Sequence, residues 1–244
     1  MAVNTLMKKI YRGSLKPGDK LPTERRMTEE LDVDRGALRI GLRQLESMGI
    51  IRIRHGDGIY VRDYMENAGI DFLKTLFMVH EAEGEAPVID DYLVNEIWEF
   101  WIMLFPAVVE MAASKISNRD MRELTALLDE EAGDPGDRER IIELELRSHE
   151  LIVGMADNTI LTLLFNSCLP LRRRIVSMQI MGMTGRELIE HIQSKRALVA
   201  EFLSSDSGEI EGIIRTFKAR MQGYADAFRK NSFRSAASNK KAGT

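Results

Sequence analysis

Between Leu15 and Arg62 the spacing of apolar residues changes from that of a helix to that of a strand, and few small folds accommodate the change. Pro17-Gly18-Asp19 signals a turn, Pro22 is barred from a helix interior, and Thr23 suits an N-cap, so a helix is predicted to begin near Glu24. Met27 and Leu31 give it an apolar stripe. Asp34 suits the cap of a second helix, in which Leu38, Leu42, Leu45 and Met48 recur at helical spacing. Then Ile51, Ile53, Ile59 and Val61 alternate with Arg52, Arg54, Tyr60 and Arg62 around His55-Gly56-Asp57-Gly58. Strict alternation about a glycine-rich turn predicts a half-buried hairpin.

The polar residues of these elements suggest what the segment does. Arg35, Arg39 and Arg43 are four apart on the second helix, about a third of a turn from the leucine stripe. Gly36 and Ala37 leave the first turn uncrowded. A helix entering a DNA major groove needs an open N-terminal end, guanidinium groups for guanine edges or phosphates, and an apolar back. The plain alternative is a solvated basic face. The hairpin counts against it, because its glycines let backbone approach a sugar-phosphate surface while its arginines and His55 supply donors.

The run from Pro17 to Val61 resembles the winged-helix domain of the GntR family of bacterial transcription regulators, through PGDKLPTER, VDRGALRIGLRQLESMGII and HGDGIYV in that order. The resemblance places Arg25, Arg35, Arg39, His55 and Gly56 where the family contacts its operator. With Gly36 and Arg43 from the same helix face, these form the expected DNA-binding set. The family usually has hydroxyl residues on either side of the first arginine of the second helix, where this chain has Asp34 and Gly36. Asp34 keeps the cap but repels a nearby phosphate, so operator preference is expected to differ from that of close relatives.

Composition bounds the remainder. The 244 residues are 44% hydrophobic and carry a formal charge of −4, enough for one small and one medium globular domain. Residues 1–63 hold 13 Lys/Arg against 9 Asp/Glu and are net +4, which leaves −8 for the rest. Cys168 is the single cysteine, so no intrachain disulfide framework exists. The N-terminus has no apolar signal core, and Glu99, Pro106 and Glu110 interrupt the most apolar run, which reads as a buried helix rather than a membrane span. A cytoplasmic protein without membrane contact is expected. Helices are predicted near 70–80, 88–116, 118–132, 137–156, 159–181, 185–204 and 208–230. The expected fold is mostly α: a winged helix-turn-helix with a small β-hairpin wing over 1–63, a linker at 64–69, an antiparallel all-α effector-binding and dimerisation domain over 70–231, and a mobile basic tail at 232–244. Gly69 and the 63–67 link are candidate hinges.

The helical part resembles the FadR branch of the same family, whose FCD-type domain encloses an effector cavity. HELIVGMADNTILTLLFNSCLPLRRR and SKRALVAEFLSSDSGEIEGIIRTF carry this resemblance. Many members hold a divalent metal through an Asp, a His four residues later and two later histidines, positions matched here by Glu145, His149, Lys195 and Phe217. Lys195 brings a positive charge and Phe217 no donor atom, so no metal and no cofactor are expected, with Lys195 paired to Glu145. His191, four residues before Lys195, offers a minority route to a residual metal site. An arginine common in acid-binding members is replaced by Trp101. The effector-binding set is therefore Trp98, Trp101, Glu145, His149, Arg172 and Lys195, and the leading effector is an acyl-CoA or another amphipathic carboxylate. A homodimer on a palindromic double-stranded operator, controlled by a small-molecule effector, is expected. Alternatives are a small organic acid sensed through the residual metal site, or a winged helix used to bind protein. An enzyme is not expected, because no catalytic fingerprint or partner set surrounds Glu145 and His149.

Overall fold

Leu6, Met7 and Ile10 are buried on one side of a helix over Ala2–Tyr11 (α1), which precedes the first element expected from the sequence. The structure, a computed structural model, describes residues 2–79, 89–204 and 211–226. The tail expected at 232–244 and both ends of the 208–230 helix lie outside the described residues. The chain divides into two compact units, Met1–Ile89 and Asp90–Thr244.

In the first unit α2 (Glu24–Leu31) and α3 (Arg35–Ser47) begin where the caps predict. Thr23 accepts from the amide of Arg26, and Asp34 from that of Ala37. Met27, Leu38, Leu42 and Leu45 are buried together, and α1 packs across α3 at Gly41, where a Cβ would lie 2.9 Å from Val3 Cγ2. The hairpin pairs β1 (Ile51–Arg54) with β2 (Gly58–Val61) antiparallel, Ile51 opposite Val61 and Ile53 opposite Ile59. A third short edge joins it. The Leu21 amide donates to Ile59 O at 2.8 Å and the Val61 amide to Asp19 O at 2.9 Å, so the predicted turn residues also complete the sheet.

The segment read as a linker is part of this unit. Residues Tyr64–Asn67 form a short helix, α4, and Ile70–Met78 form α5. Tyr64 lies 6.0 Å from Tyr11 and 5.2 Å from Phe72, ring centre to ring centre. Arg62 donates to the side chain of Asn67. Gly49 has φ +80°, and a Cβ there would come within 2.1 Å of Asn67 O, so α4 sits directly on the turn after α3. Aromatic contacts unavailable to sequence spacing fold residues 64–78 onto α1, so the segment expected as a linker at 64–69 is partly helical and packed within this unit.

The second unit is all helical among its described residues: α6 (Asp91–Ala113), α7 (Asn118–Gly133), α8 (Arg138–Met155), α9 (Thr159–Ser167), α10 (Leu169–Gly182), α11 (Gly185–Ser204) and α12 (residues 211–226). Asp90, Ser117, Asp137 and Asn158 cap four of these, Ser117 through a capping box with Asp120. The single helix expected over 159–181 is two, because Pro170 has no amide to continue α9 and instead sits in the first turn of α10. Helix α8 is central, packing against α6, α7, α9 and α10. Ile141, Ile142 and Leu146 join Val176, Ile180, Leu188 and Ile192 in its core. Helix α6 is long and apolar enough to cross a membrane, with mean hydropathy 1.3 over its most apolar window. In the fold it buries Val94, Trp98, Ile102, Phe105 and Val108 along one face.

Candidate nucleic-acid interface and bundle cavity

The apolar stripe of α3 faces the core of the first unit and so turns Arg35, Gly36, Arg39 and Arg43 to solvent. Ile40 lies on the same exposed side at 71% exposure, a position that spacing alone did not single out. Arg39 Nε is 2.8 Å from Glu24 Oε2, and Arg25 Nη1 is 3.2 Å from Glu29 Oε1. Both pairs are largely exposed, so a phosphate can displace them at little cost. Asp34 and Gly36 explain each other, because a Cβ at 36 would press to 3.0 Å on the Asp34 oxygen that accepts from Ala37.

Glu46 ties the wing to α3 by accepting from the Ile53 amide at 2.8 Å. At the wing tip Tyr60 donates to Asp57 at 2.9 Å, Lys20 lies 3.4 Å from the same carboxylate, and the Arg54 guanidinium stacks 4.8 Å from the Tyr60 ring. The Tyr60 hydrogen bond and Lys20 hold the Asp57 carboxyl below its usual range. His55 and Gly56, the latter at φ +76°, are exposed at the turn. A cleft of about 880 Å³ runs between α3 and the wing, lined by Arg39, Arg43, Arg54, His55, Gly56 and Lys20 among others. Five of the seven expected DNA contacts thus share the α3 surface or wing tip with Gly36, while Arg25 lies on α2.

In the second unit, the four positions matched by resemblance to a metal site come together. Glu145, His149, Lys195 and Phe217 line a cavity of about 50 Å³ with Trp98, Trp101 and His191. The Lys195 ammonium pairs with Glu145 and also, at 2.6 Å, with Glu131, which is completely buried on α7. Burial opposes charge on both Lys195 and Glu145. Their attraction outweighs it, keeping Lys195 raised and, with His191 and His149, Glu145 well below the usual carboxylate range. Glu131 differs: burial, reinforced by the charge of Glu145, pushes it up to about 7. Glu145 Oε1 lies 3.8 Å from His149 Nε2 and 3.7 Å from His191 Nε2. Burial lowers His149 to about 4, so its ring is neutral at pH 7. His191 Nδ1 is 2.6 Å from Tyr224 Oη, which links α11 to α12. The ammonium holds both carboxylates where a cation would bind, and among the described residues no group of three or more His, Cys, Asp or Glu is arranged to hold a metal.

Trp101 stacks on Phe105 at 4.8 Å and approaches His149 at 5.2 Å and Phe165 at 5.6 Å. Arg172 lies behind this cluster rather than in the cavity lining, its guanidinium 5.3 Å from the Phe165 ring and 3.9 Å from Glu150. Arg173 and Arg174 point to solvent. Buried polar atoms without a protein hydrogen-bond partner include Trp98 Nε1, His149 Nδ1, His191 Nε2, and Nε and Nη1 of Arg172. Glu131, Arg220 and Tyr224 were not found from sequence. Glu131 comes from the preceding helix and Arg220 and Tyr224 from far along the chain, and only the helix packing brings them to Glu145.

Comparison with known proteins agrees with both units. Residues 1–61 match the family described as bacterial regulatory proteins, gntR family, and residues 96–219 match the FCD domain. The HTH-type transcriptional regulator Mce2R of Mycobacterium tuberculosis is 38% identical over 106 residues, 43% of this chain and 42% of that relative, so the match spans less than half its length. The galactonate operon transcriptional repressor of Escherichia coli is 26% identical over 209 residues, 86% of this chain and 88% of that protein. The fatty acid metabolism regulator protein of Vibrio cholerae is 35% identical over 88 residues, 36% and 31% of the two chains. Among solved structures, Lar of Listeria monocytogenes shares the fold at TM-score 0.51 and 18% identity, covering 96% of this chain and 95% of that one. The chain belongs to the GntR family of bacterial transcription regulators, with a helix-turn-helix DNA-binding head and an FCD effector domain.

Proposed function

We propose that the chain is a cytoplasmic, ligand-responsive regulator that binds a palindromic operator as a homodimer and senses an amphipathic carboxylate in its bundle. The observation that carries DNA reading is the row of exposed arginines on α3 beside a wing tip of His55, Gly56 and Arg54, across one cleft. Arg35, Arg39 and Arg43 are suited to guanine edges or phosphates, and the exposed Ile40 to a thymine methyl. Arg25, His55 and Gly56 are suited to the backbone and the adjacent groove. Exposed apolar side chains on the bundle, among them Phe100, Met103, Ile160 and Leu163, support a surface for a second copy.

For the effector, the supporting observation is the set of unpartnered buried donors around one cavity, because such groups are costly unless a ligand satisfies them. At the cavity itself Lys195 and the half-buried Arg220 face Glu145 and a Glu131 that is half neutral near pH 7, a small positive excess that an anion balances. Relatives named for galactonate and for fatty acid metabolism accord with a carboxylate. Differential binding of that carboxylate to two arrangements of the heads shifts operator affinity.

Footprinting on the intergenic DNA beside the coding region gives the operator. Arg39→Ala is expected to weaken binding to it by about 1–3 kcal/mol with the fold intact. Unchanged affinity at fixed salt removes Arg39 from the reading face.

A further inference from the structure

The bundle contains a second cavity, of about 90 Å³, lined only by apolar side chains that include Val109, Ala113, Ile116, Leu198, Val199 and Phe202. Phe217 is the one described residue lining both this chamber and the polar one that holds His149, Lys195 and Arg220. We propose that the apolar chamber receives the hydrocarbon tail of the effector whose carboxylate lies in the polar chamber, with Phe217 as the partition the bound molecule displaces. This inference rests on the carboxylate reading above and adds to it a second subsite and a ligand size.

Three observations carry it. First, polarity is divided: unpartnered donors and cations border one chamber and apolar side chains alone the other, the division an amphipathic molecule requires. An alkyl chain also restores the packing contacts that the lining of an apolar cavity forgoes. Second, the sizes agree. At roughly 10–15 Å³ per water-sized sphere, the polar chamber has room for about three to five non-hydrogen atoms and the apolar one for about six to nine. A straight-chain acid of about eight to ten carbons matches the two together. Third, the partition is mechanically linked to a cation. The Arg220 guanidinium stacks 5.7 Å from the Phe217 ring, and that ring lies 5.9 Å from Phe105. Displacing Phe217 with a tail therefore frees Arg220 to meet the carboxylate.

The test is calorimetric titration of the full-length chain with straight-chain carboxylates from butyrate to dodecanoate. Affinity is expected to rise about fourfold per methylene, the equivalent of roughly 0.8 kcal/mol each, and to level off at eight to ten carbons. Ala113→Phe and Val199→Phe fill the apolar chamber from different helices. Each is expected to flatten the chain-length dependence while butyrate affinity stays within about twofold of wild type. Phe217→Ala gives a readout independent of any folding failure in the bulky variants, because truncating the partition moves the plateau to longer chains. A chain-length dependence that persists in the filled variants, or a plateau unmoved by Phe217→Ala, overturns the tail chamber and leaves the carboxylate reading standing. No binding by any acid in the series overturns the carboxylate reading and this inference with it.

Discussion

At the scale of single residues, Lys195 decides the chemistry of the bundle. Its ammonium pairs with both Glu145 and Glu131 from within the chain and occupies the place of a cation, so the purified protein is expected to hold no stoichiometric Zn, Ni or Mn. One equivalent by elemental analysis, lost in His149→Ala, would contradict that. Glu131 gives a second prediction. Burial raises its carboxyl from 4.5 to about 7, so it binds a proton more tightly in the folded chain than in the unfolded one. Its favourable contribution is complete below pH 4.5 and is lost as pH rises through about 7. Glu131→Gln removes the titration, and its stability relative to wild type should grow by about 3 kcal/mol from pH 4 to pH 8. Urea unfolding at both pH values measures the change, and a difference that does not vary with pH means Glu131 is already ionised when folded. The pairing of Lys195 with Glu145 was legible in the sequence because both fall on motif positions. Glu131 was not, since nothing in its surroundings on α7 marks one glutamate as buried.

At the scale of elements, cap chemistry and apolar spacing were sufficient for α2, α3, the hairpin and most of the bundle. They failed where a neighbour in space supplied the stabilisation. Helix α1 has only Leu6, Met7 and Ile10 to mark it and depends on α3 for burial. The 18–21 edge reads as a turn until β2 provides its partners, and α4 reads as polar linker until Tyr11 and Phe72 enclose Tyr64. Pro170 stands at the break between α9 and α10, but the long apolar run around it reads as one helix. The junction of α3 with α4 turns on Gly49, which combines a left-handed φ with a close approach to Asn67 O. Gly49→Ala is expected to destabilise the head by at least about 1–3 kcal/mol and to unseat α4. Hydrogen exchange should show faster exchange across Tyr64–Asn67, and unchanged protection there would mean the close approach relaxes at no cost.

At the scale of the whole molecule, the net +4 of residues 1–63 is offset within the same unit by the acidic 64–89 stretch, so the placement of charge rather than its sum separates the two units. The head has exposed guanidinium groups and a glycine-tipped wing directed at solvent, whereas the bundle turns its unpartnered polar groups inward around a small cavity. Family membership is read from both units, and the sequence conveyed it through ordered motifs that survive at modest identity. The effector was less legible, because cavity size and the position of Phe217 between two chambers follow from packing rather than motif. The central claim is that the α3 and wing surface meets the DNA backbone through several cations. Its most direct test is the salt dependence of binding of the full-length chain to its footprinted operator. The logarithm of affinity should fall steeply and linearly with the logarithm of salt concentration, at a slope of several, and substituting an arginine that contacts phosphate should reduce the slope by about 1. An affinity that barely responds to salt would contradict DNA recognition by this face and favour an apolar protein partner.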